Sequence, residues 1–444
     1  MGRSHLRSGT RSRAVREASI FTASNVLVGV LGIVSTAVLA RNLTTREFGS
    51  YAFAVSFLAF VALLFDFGFF APAARLAARS EPRAQREITG AALVLYAPIG
   101  LAYCIAVFGL SFRVDAWFHV SASHPLRIAA LFAFALPLIP IVQQLAQGVD
   151  RLHIASISLV VLQALLVALL VISAGSLSPT KALVLRCLSV AGAALCAVVW
   201  LRPSFRFLRK WLTELVRETR RYGFAIYVGR ILSIGTYNMD VLMLGVFTNA
   251  RSVGFYTLAG SIAAAANLPV LGLSTALFAP MARARKIRRQ LLVVGASLGL
   301  ITALAAWALA KPFIELVFSD RYAPAAALVL PLALAQAVRG LTGFYNTFLS
   351  AQGEGRALRN AGIVLTVSNL VFNFALIPPF GAMGAAWASL FALVANLGAH
   401  VIFYRRALED DMQRPEYELQ RTHYPQHEGL DGLDPQHDRR KKPE

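Results

Sequence analysis

Twelve long apolar stretches, nearly free of charged residues, divide this sequence. Each is roughly 20 residues or longer, enough for a helix to cross the ~30 Å hydrocarbon layer of a membrane. Hydrophobic residues make up 57% of the chain and charged residues 15%, against about 45–50% and about 25% in soluble domains. The pattern therefore predicts an all-α polytopic membrane protein with about twelve transmembrane helices. Their predicted bounds are 18–40, 48–74, 88–112, 126–148, 154–174, 180–201, 222–247, 253–281, 290–310, 325–350, 360–380 and 382–404.

The positive charges are divided unevenly between the two sides of the predicted bundle. With the N-terminus in the cytoplasm, the cytoplasmic segments hold 32 of the 43 lysines and arginines, and the opposite side holds 8. This is the positive-inside bias of a membrane protein with both termini in the cytoplasm. The net charge of +20 therefore reflects topology. No folded basic domain is predicted, so nucleic acid is not an expected partner.

Two short segments occur twice, at the same offset of 205 residues. Residues 49–51 (GSY) return as 254–256 (GFY), and residues 146–151 (AQGVDR) return as 351–356 (AQGEGR). A shared offset indicates an internal duplication, and two halves of six helices each are parallel repeats. The tyrosine that ends the first segment lies near the outer end of its helix in each half, where an aromatic interface anchor is expected. The predicted organisation is a basic cytoplasmic N-terminus (1–17), an N-lobe (18–201), a cytoplasmic amphipathic linker (202–221), a C-lobe (222–404) and a polar cytoplasmic tail (405–444).

The linker between the lobes contains an amphipathic segment. Basic residues are interleaved with apolar residues that recur at helical spacing, namely Leu208, Trp211, Leu212 and Leu215. This pattern predicts a helix that lies on the cytoplasmic leaflet and tethers the two lobes.

The sequence offers no pattern typical of catalysis or of a bound cofactor. The predicted outer loops are too short to form a catalytic domain. Cys104, Cys187 and Cys196 all lie inside predicted helices, and the eight histidines lack metal-ligand spacing. We therefore predict no catalytic residue, no metal site and no cofactor, and we expect that the protein is not an enzyme.

Several segments match the signatures of a known family in order and spacing. Residues 41–51 (RNLTTREFGSY) fit R-x-L-x-x-x-x-F-G-x-Y, and residues 373–386 fit N-x-x-LIP-x-x-G-x-x-GAA. Residues 240–245 (DVLMLG) and 253–256 (VGFY) lie between them. Over about residues 15–405 the chain resembles the bacterial O-antigen and exopolysaccharide flippases. These belong to the multidrug/oligosaccharidyl-lipid/polysaccharide (MOP) exporter superfamily.

This resemblance implies a two-lobed, MATE-like fold that alternates between inward-open and outward-open states. The implied function is translocation of an undecaprenyl-diphosphate-linked oligosaccharide from the cytoplasmic to the periplasmic leaflet of the inner membrane, for polysaccharide biosynthesis. The implied partners are that lipid-linked oligosaccharide, membrane lipids, and the polymerase and glycosyltransferases of the same pathway. Arg41 and Arg75 lie at predicted helix ends rather than deep in the N-lobe, which argues against lipid II as the cargo.

Five charged residues lie more than one turn inside the predicted membrane helices. Charge there costs about 2.5–3.5 kcal/mol and therefore usually faces a cavity or a partner. Arg230 and Arg339 are predicted to contact the diphosphate, because a guanidinium can bind such an anion bidentately. Asp66 and Asp240 are possible coupling carboxylates that bind a proton or sodium, with neutralisation by a nearby arginine as the alternative. Arg186, near the outer end of its helix, is predicted to extend to the membrane surface.

Two other functions remain open at this point. One is a cation-coupled multidrug or metabolite antiporter of the same superfamily, and the other is a membrane glycosyltransferase or polymerase. The three intramembrane arginines outnumber the two aspartates, which favours an anionic cargo. The short outer loops argue against a membrane enzyme.

Overall fold

The computed structural model describes residues 23–276 and 286–413, and this part of the chain is helical throughout. The predicted N-terminal segment 1–17 and most of the predicted tail 405–444 lie outside the described residues. We number the α-helices in chain order. In the first half they are α1 (Ala23–Asn42), α2 (Thr45–Leu64), α3 (Phe70–Ala78), α4 (Pro82–Trp117), α5 (Ser123–Ala130), α6 (Leu138–Gly148), α7 (Leu152–Ile172) and α8 (Pro179–Leu201). After them come α9 (Leu208–Glu218), α10 (Phe224–Phe247), α11 (Ala250–Ala276), α12 (Arg289–Val317), α13 (Ala326–Ala351) and α14 (Gly355–Gln413).

Nine of the described helices are long and apolar enough to cross a membrane. Helices α5 and α6, which meet at 80°, pass the same test together and make the number ten if the bent pair is one span. Helix α14 counts once in this number, although Gly381 (φ 57°) interrupts it. The side-chain amide of Asn396 donates to the carbonyl oxygen of Ala361 at 2.8 Å. The arms 355–380 and 382–413 are therefore antiparallel neighbours. The predicted all-α polytopic fold is confirmed.

The echoed glycines of the two halves contact each other where the lobes meet. A Cβ atom on Gly49 of α2 would lie 1.6 Å from the carbonyl oxygen of Ala250 in α11. A Cβ atom on Gly254 would lie 2.9 Å from the carbonyl oxygen of Thr45 and 3.3 Å from the Cα atom of Gly49. Only glycine permits backbones to approach this closely. We call α1–α8 the N-lobe and α10–α14 the C-lobe, and the crossing of α2 and α11 is a contact between these two groups of helices.

Two arginines join the lobes at the face where α1 ends and α2 begins, which we call the loop face. Arg41, at the end of α1, donates to the carbonyl oxygens of Val317 and Leu316 at 2.8 and 2.6 Å. Arg321, which follows α12, donates to the carbonyl oxygens of Leu43 and Arg41 at 3.4 and 3.1 Å. The last carbonyl groups of a helix lack partners within it. Each arginine therefore caps the C-terminal end of a helix in the other lobe.

We call the face opposite the loop face, which carries α9, the linker face. The lobes contact each other on the linker face and at a further place on the loop face. At the loop face, the His119 backbone N–H donates to the Gly245 carbonyl oxygen at 2.7 Å, and His119 Nδ1 lies 2.7 Å from the Val246 carbonyl oxygen. At the linker face, the Tyr227 hydroxyl donates to the Leu64 carbonyl oxygen at 2.7 Å. The described residues therefore join the lobes at both ends of the bundle.

Helix α9 packs against the N-lobe. Trp211 and Leu215 on its apolar face are buried in one cluster with Ile88 and Ala91 of α4. The Trp211 indole Nε1–H donates to the carboxylate of Glu87, which is also buried, at 3.0 Å. The sequence predicts that the membrane leaflet covers the apolar face of this helix. In the structure, N-lobe side chains cover it.

Candidate functional site

A cavity of about 400 Å³ lies between the two lobes. Its walls come from α1, α2, α7 and α8 of the N-lobe and from α11 of the C-lobe. Among the described residues that line it, Arg186 of α8 is the only one with a charged side chain. The other polar side chains of the wall are Ser35, Thr36, Tyr51, Ser56, Gln163, Thr257 and Ser261.

Tyr51 of α2 lies beside Arg186. The guanidinium of Arg186 is close enough to the Tyr51 hydroxyl to interact with it electrostatically, and the tyrosine side chain is buried. Arg186 lies seven residues into α8, which is about 10 Å along the helix axis from its loop-face end. The sequence predicts that Arg186 extends to the membrane surface, whereas in the structure it lines the interlobe cavity. Hydrophobicity along α8 could not reveal this, because the direction of the side chain depends on how the helix packs.

Two polar atoms of the cavity wall lack a hydrogen-bond partner among the described residues. They are Oε1 of Gln163 and Oγ1 of Thr257, and both atoms are buried. An unsatisfied buried polar atom costs about 1–3 kcal/mol. Such atoms are suited to a ligand or to an ordered water. With Arg186, they give the cavity one cation and two unpaired hydrogen-bonding groups.

Asp240 of α10 forms a second polar centre, inside the C-lobe, where it is 6% exposed. One carboxylate oxygen accepts hydrogen bonds from the side-chain amides of Asn369 and Asn373, at 2.9 and 2.7 Å. The other accepts from the hydroxyls of Tyr256 and Ser389, at 2.6 and 2.5 Å. All four donors are neutral, so hydrogen bonds rather than an arginine stabilise the carboxylate at these contacts. The spacing of the two asparagines, four residues on one helix, is the sequence signal that could have identified this centre.

The tyrosines of the two repeated segments occupy equivalent positions, and each lies beside a side chain of opposite charge to the other. Tyr51 lies beside Arg186 in the N-lobe, and Tyr256 binds Asp240 in the C-lobe. Both side chains are buried. The prediction that they anchor the bundle at the membrane surface is therefore wrong. In each half, the repeated tyrosine instead lies beside the charged group of its own lobe.

The other predicted site residues lie apart from the interlobe cavity or are described only in part. Arg339 of α13 lines a second cavity, whose described wall belongs to the C-lobe alone. Arg230 belongs to α10, but its side chain is outside the described part of the structure. Asp66 lies in the break between α2 and α3, is 8% exposed, and is close enough to act electrostatically on Tyr227 of the C-lobe. Their proposed roles stay predictions.

Solved structures of a lipid II flippase and of MATE transporters have folds similar to that of this chain. The chain superposes on the inward closed conformation of the lipid II flippase MurJ with a TM-score of 0.73 and 12% identity, covering 87% of this chain and 88% of that one. An inward-facing multidrug resistance MATE transporter of the MOP superfamily gives a TM-score of 0.69 and 15% identity, with 88% and 98% covered. An outward-facing MATE transporter gives 0.60 and 15%, with 90% and 96% covered. At these identities the likeness establishes the fold.

The sequence itself places the chain in a family. No curated protein matches it, but the family described as "Polysaccharide biosynthesis protein" matches residues 14–284. This segment covers the whole N-lobe, the linker and the first two helices of the C-lobe, which is more than half of the chain. The chain therefore belongs to the polysaccharide biosynthesis protein family, and it is a multi-pass membrane protein with the fold of MurJ and the MATE transporters.

Proposed function

We propose that this protein moves an undecaprenyl-diphosphate-linked oligosaccharide from the cytoplasmic to the periplasmic leaflet by alternating access. The observation that carries this proposal is the interlobe cavity with Arg186 as its charged residue. A cavity between two lobes is accessible from either side in turn when the lobes rock against each other. The excess of positive charge on the linker-face segments supports a cytoplasmic linker face.

The wall of the cavity suits both parts of a glycan diphosphate. The planar guanidinium of Arg186 can donate two parallel hydrogen bonds to a phosphate. The unpaired oxygens of Gln163 and Thr257 can bind sugar hydroxyls, which both donate and accept hydrogen bonds. Tyr51 lies beside this guanidinium on the cavity wall. Arg230 and Arg339 remain candidate headgroup contacts on the C-lobe side.

Asp240 is the stronger of the two candidate coupling carboxylates. It is buried, and its four hydrogen-bond donors carry no charge. A proton or a monovalent cation bound there would neutralise a buried negative charge. The binding free energy of that proton or cation differs between two conformations that pack the site differently, so its binding favours one of them. The Oδ1 atom of Asn373 has no partner among the described residues and adds an oxygen to the same cluster. Asp66 lies at a contact between the lobes, where a change of charge would act on their separation.

Complementation tests the proposed cargo. A strain blocked in the export of lipid-linked glycan should regain surface polysaccharide when it expresses this chain. We expect Arg186→Gln to lower the rescue at least about tenfold, because one charge-assisted contact to phosphate contributes about 1.5–3 kcal/mol. The double variant Arg230→Ala with Arg339→Ala tests the predicted C-lobe contacts in the same assay. Arg251→Gln, which removes an exposed loop-face arginine of α11, is the matched control and should rescue fully.

The same strains separate this function from the alternative in the superfamily. Failure to rescue in every glycan background, together with a gain of drug resistance, would favour the cation-coupled multidrug or metabolite antiporter. Full rescue by Arg186→Gln at normal membrane abundance would contradict the proposal that Arg186 binds the cargo in the interlobe cavity. Interaction with the polymerase and glycosyltransferases of the pathway belongs to the same proposal, and co-purification from the native membrane tests it.

A further inference from the structure

A second cavity, of about 370 Å³, lies within the C-lobe between α13 and the two arms of α14. We call it the C-lobe crevice. One face of α13 supplies Arg339, Thr342 and Asn346, at the three- and four-residue spacing that aligns side chains along a helix. The 382–413 arm supplies Asn396 and His400. The rest of the wall is glycine and leucine, with Leu358, Leu365 and Leu393 forming its apolar side.

His400 lines this crevice and carries a buried nitrogen with no hydrogen-bond partner among the described residues. The residue is 4% exposed, and its Nδ1 lies 2.9 Å from the carbonyl oxygen of Asn396. A carbonyl oxygen only accepts hydrogen bonds, so Nδ1 carries the hydrogen atom. The unpaired nitrogen is therefore Nε2.

The neighbouring polar groups on the wall are already satisfied. The Asn396 amide donates to the Ala361 carbonyl oxygen at 2.8 Å, and the Thr342 hydroxyl donates to the Val338 carbonyl oxygen at 2.8 Å. These bonds fix both arms of α14 and one face of α13. The crevice is therefore a preformed pocket in which the described residues leave the imidazole nitrogen unpaired.

We propose that the C-lobe crevice binds the diphosphate of a polyprenyl carrier, with Arg339 and His400 Nε2 as its contacts. Arginine offers donors in a fork that matches phosphate oxygens. Imidazole Nε2 accepts a hydrogen bond from a phosphate hydroxyl or a bound water, or donates one when the ring is protonated. The leucine side of the pocket suits the first isoprene units and favours a lipid-linked anion over free pyrophosphate.

The crevice is a different position from the interlobe cavity, and it lies nearer the linker face. Its residue Leu358 lies three residues from the linker-face start of α14, whereas Arg186 lies about 10 Å along α8 from the loop face. The choice of a polyprenyl diphosphate rests on the proposed function. On that basis, the crevice is where the headgroup binds before it enters the space between the lobes.

Equilibrium binding to the purified full-length protein in lipid nanodiscs tests this site. The probe is farnesyl diphosphate, with inorganic pyrophosphate and farnesol in parallel. We expect Arg339→Gln and His400→Asn each to weaken farnesyl diphosphate binding at least about tenfold, the effect of losing one charge-assisted hydrogen bond. Asparagine at position 400 can keep the bond to the Asn396 carbonyl oxygen while it removes Nε2. Arg251→Gln, which removes an exposed arginine at the loop-face start of α11, should leave the affinity unchanged. Arg186→Gln is measured in parallel, because it reports any binding in the interlobe cavity.

The outcomes separate this site from the proposed cargo. Undetectable binding to the wild-type protein, or equal binding by wild type, Arg339→Gln and His400→Asn, would overturn the crevice site. Dependence on Arg186 alone would also overturn it, while supporting the proposed cargo class. Pyrophosphate binding as tight as that of farnesyl diphosphate would overturn the assignment to a lipid carrier. Thermal unfolding of each variant establishes that it is folded, and His400→Gln replaces His400→Asn if that variant is not.

Discussion

Replacing Gly49 by alanine should force the two lobes apart at the loop face. The added Cβ atom would lie 1.6 Å from the Ala250 carbonyl oxygen, whereas even close carbon–oxygen contacts are about 3.3 Å. Helices α2 and α11 must therefore separate by roughly 1.5 Å, an overpacking that costs about 1–3 kcal/mol. Alanine is intrinsically better than glycine within a helix by about 0.5–1 kcal/mol. We expect a net loss of about 1–2 kcal/mol, which lowers the population of the closed loop face roughly 5- to 30-fold.

Cysteine accessibility measures this shift directly. In a background lacking Cys104, Cys187 and Cys196, a Thr257→Cys substitution places a thiol in the interlobe cavity. Gly49→Ala should increase its labelling from the loop face by a membrane-impermeant maleimide, by roughly the same factor of 5 to 30. Gly260→Ala is the matched control in α11, because a Cβ there meets nothing within 4 Å. Unchanged labelling and an unchanged melting temperature in Gly49→Ala would refute the close crossing of the two lobes.

Three further sets of substitutions test other contacts. Asp240→Asn keeps the size of the side chain but removes its charge. Transport into proteoliposomes should therefore lose its response to a proton or sodium gradient while the protein stays folded. A gradient response equal to that of wild type would contradict the coupling role. Trp211→Phe removes the donor to the buried Glu87 and should lower the stability of the N-lobe by about 1–3 kcal/mol, because the carboxylate loses a partner. Glu87→Gln keeps an acceptor for the indole and should therefore lower the stability less than Trp211→Phe does in the same thermal unfolding measurement. A larger loss in Glu87→Gln than in Trp211→Phe would exclude this hydrogen bond as the anchor of α9. Arg41→Gln and Arg321→Gln each remove helix caps between the lobes and should increase the loop-face labelling of Thr257→Cys. Because both arginines are solvent-exposed, the increase should be smaller than for Gly49→Ala. Equal labelling in both variants and wild type would rule out this reciprocal capping as a latch.

The sequence predicted the membrane helices well where hydrophobicity changes at their ends. The helices predicted at 154–174, 180–201 and 325–350 are α7, α8 and α13, with bounds that differ by two residues or fewer. The breaks inside the predicted stretches 48–74 and 126–148 were not predictable in this way. Apart from Asp66, residues 65–69 are apolar or glycine through the break between α2 and α3, so hydrophobicity does not mark it. The positive φ angles of Phe67 and Gly68 depend on packing against the C-lobe.

The candidate site was predictable as an inventory of residues but not as an arrangement. Arg186 and Arg339 are the same residue type in the same kind of apolar helix, and their sequences do not distinguish them. Only helix packing directs Arg186 into the space between the lobes and Arg339 into a crevice of one lobe. The neutral residues around Asp240 come from α11 and the two arms of α14. No single stretch of sequence therefore predicts that they meet, apart from the spacing of Asn369 and Asn373.

By itself, the sequence determined the fold class, the duplication and the kinds of chemistry available. A membrane accepts only apolar helices whose backbone hydrogen bonds are satisfied internally, and such helices are visible in one dimension. The tertiary structure decided which groups face a cavity and which partners they have. Those outcomes depend on the rotation of each helix and on close backbone contacts such as that between Gly49 and Gly254. The rotation and crossing of helices are set by side-chain packing between segments far apart in the chain.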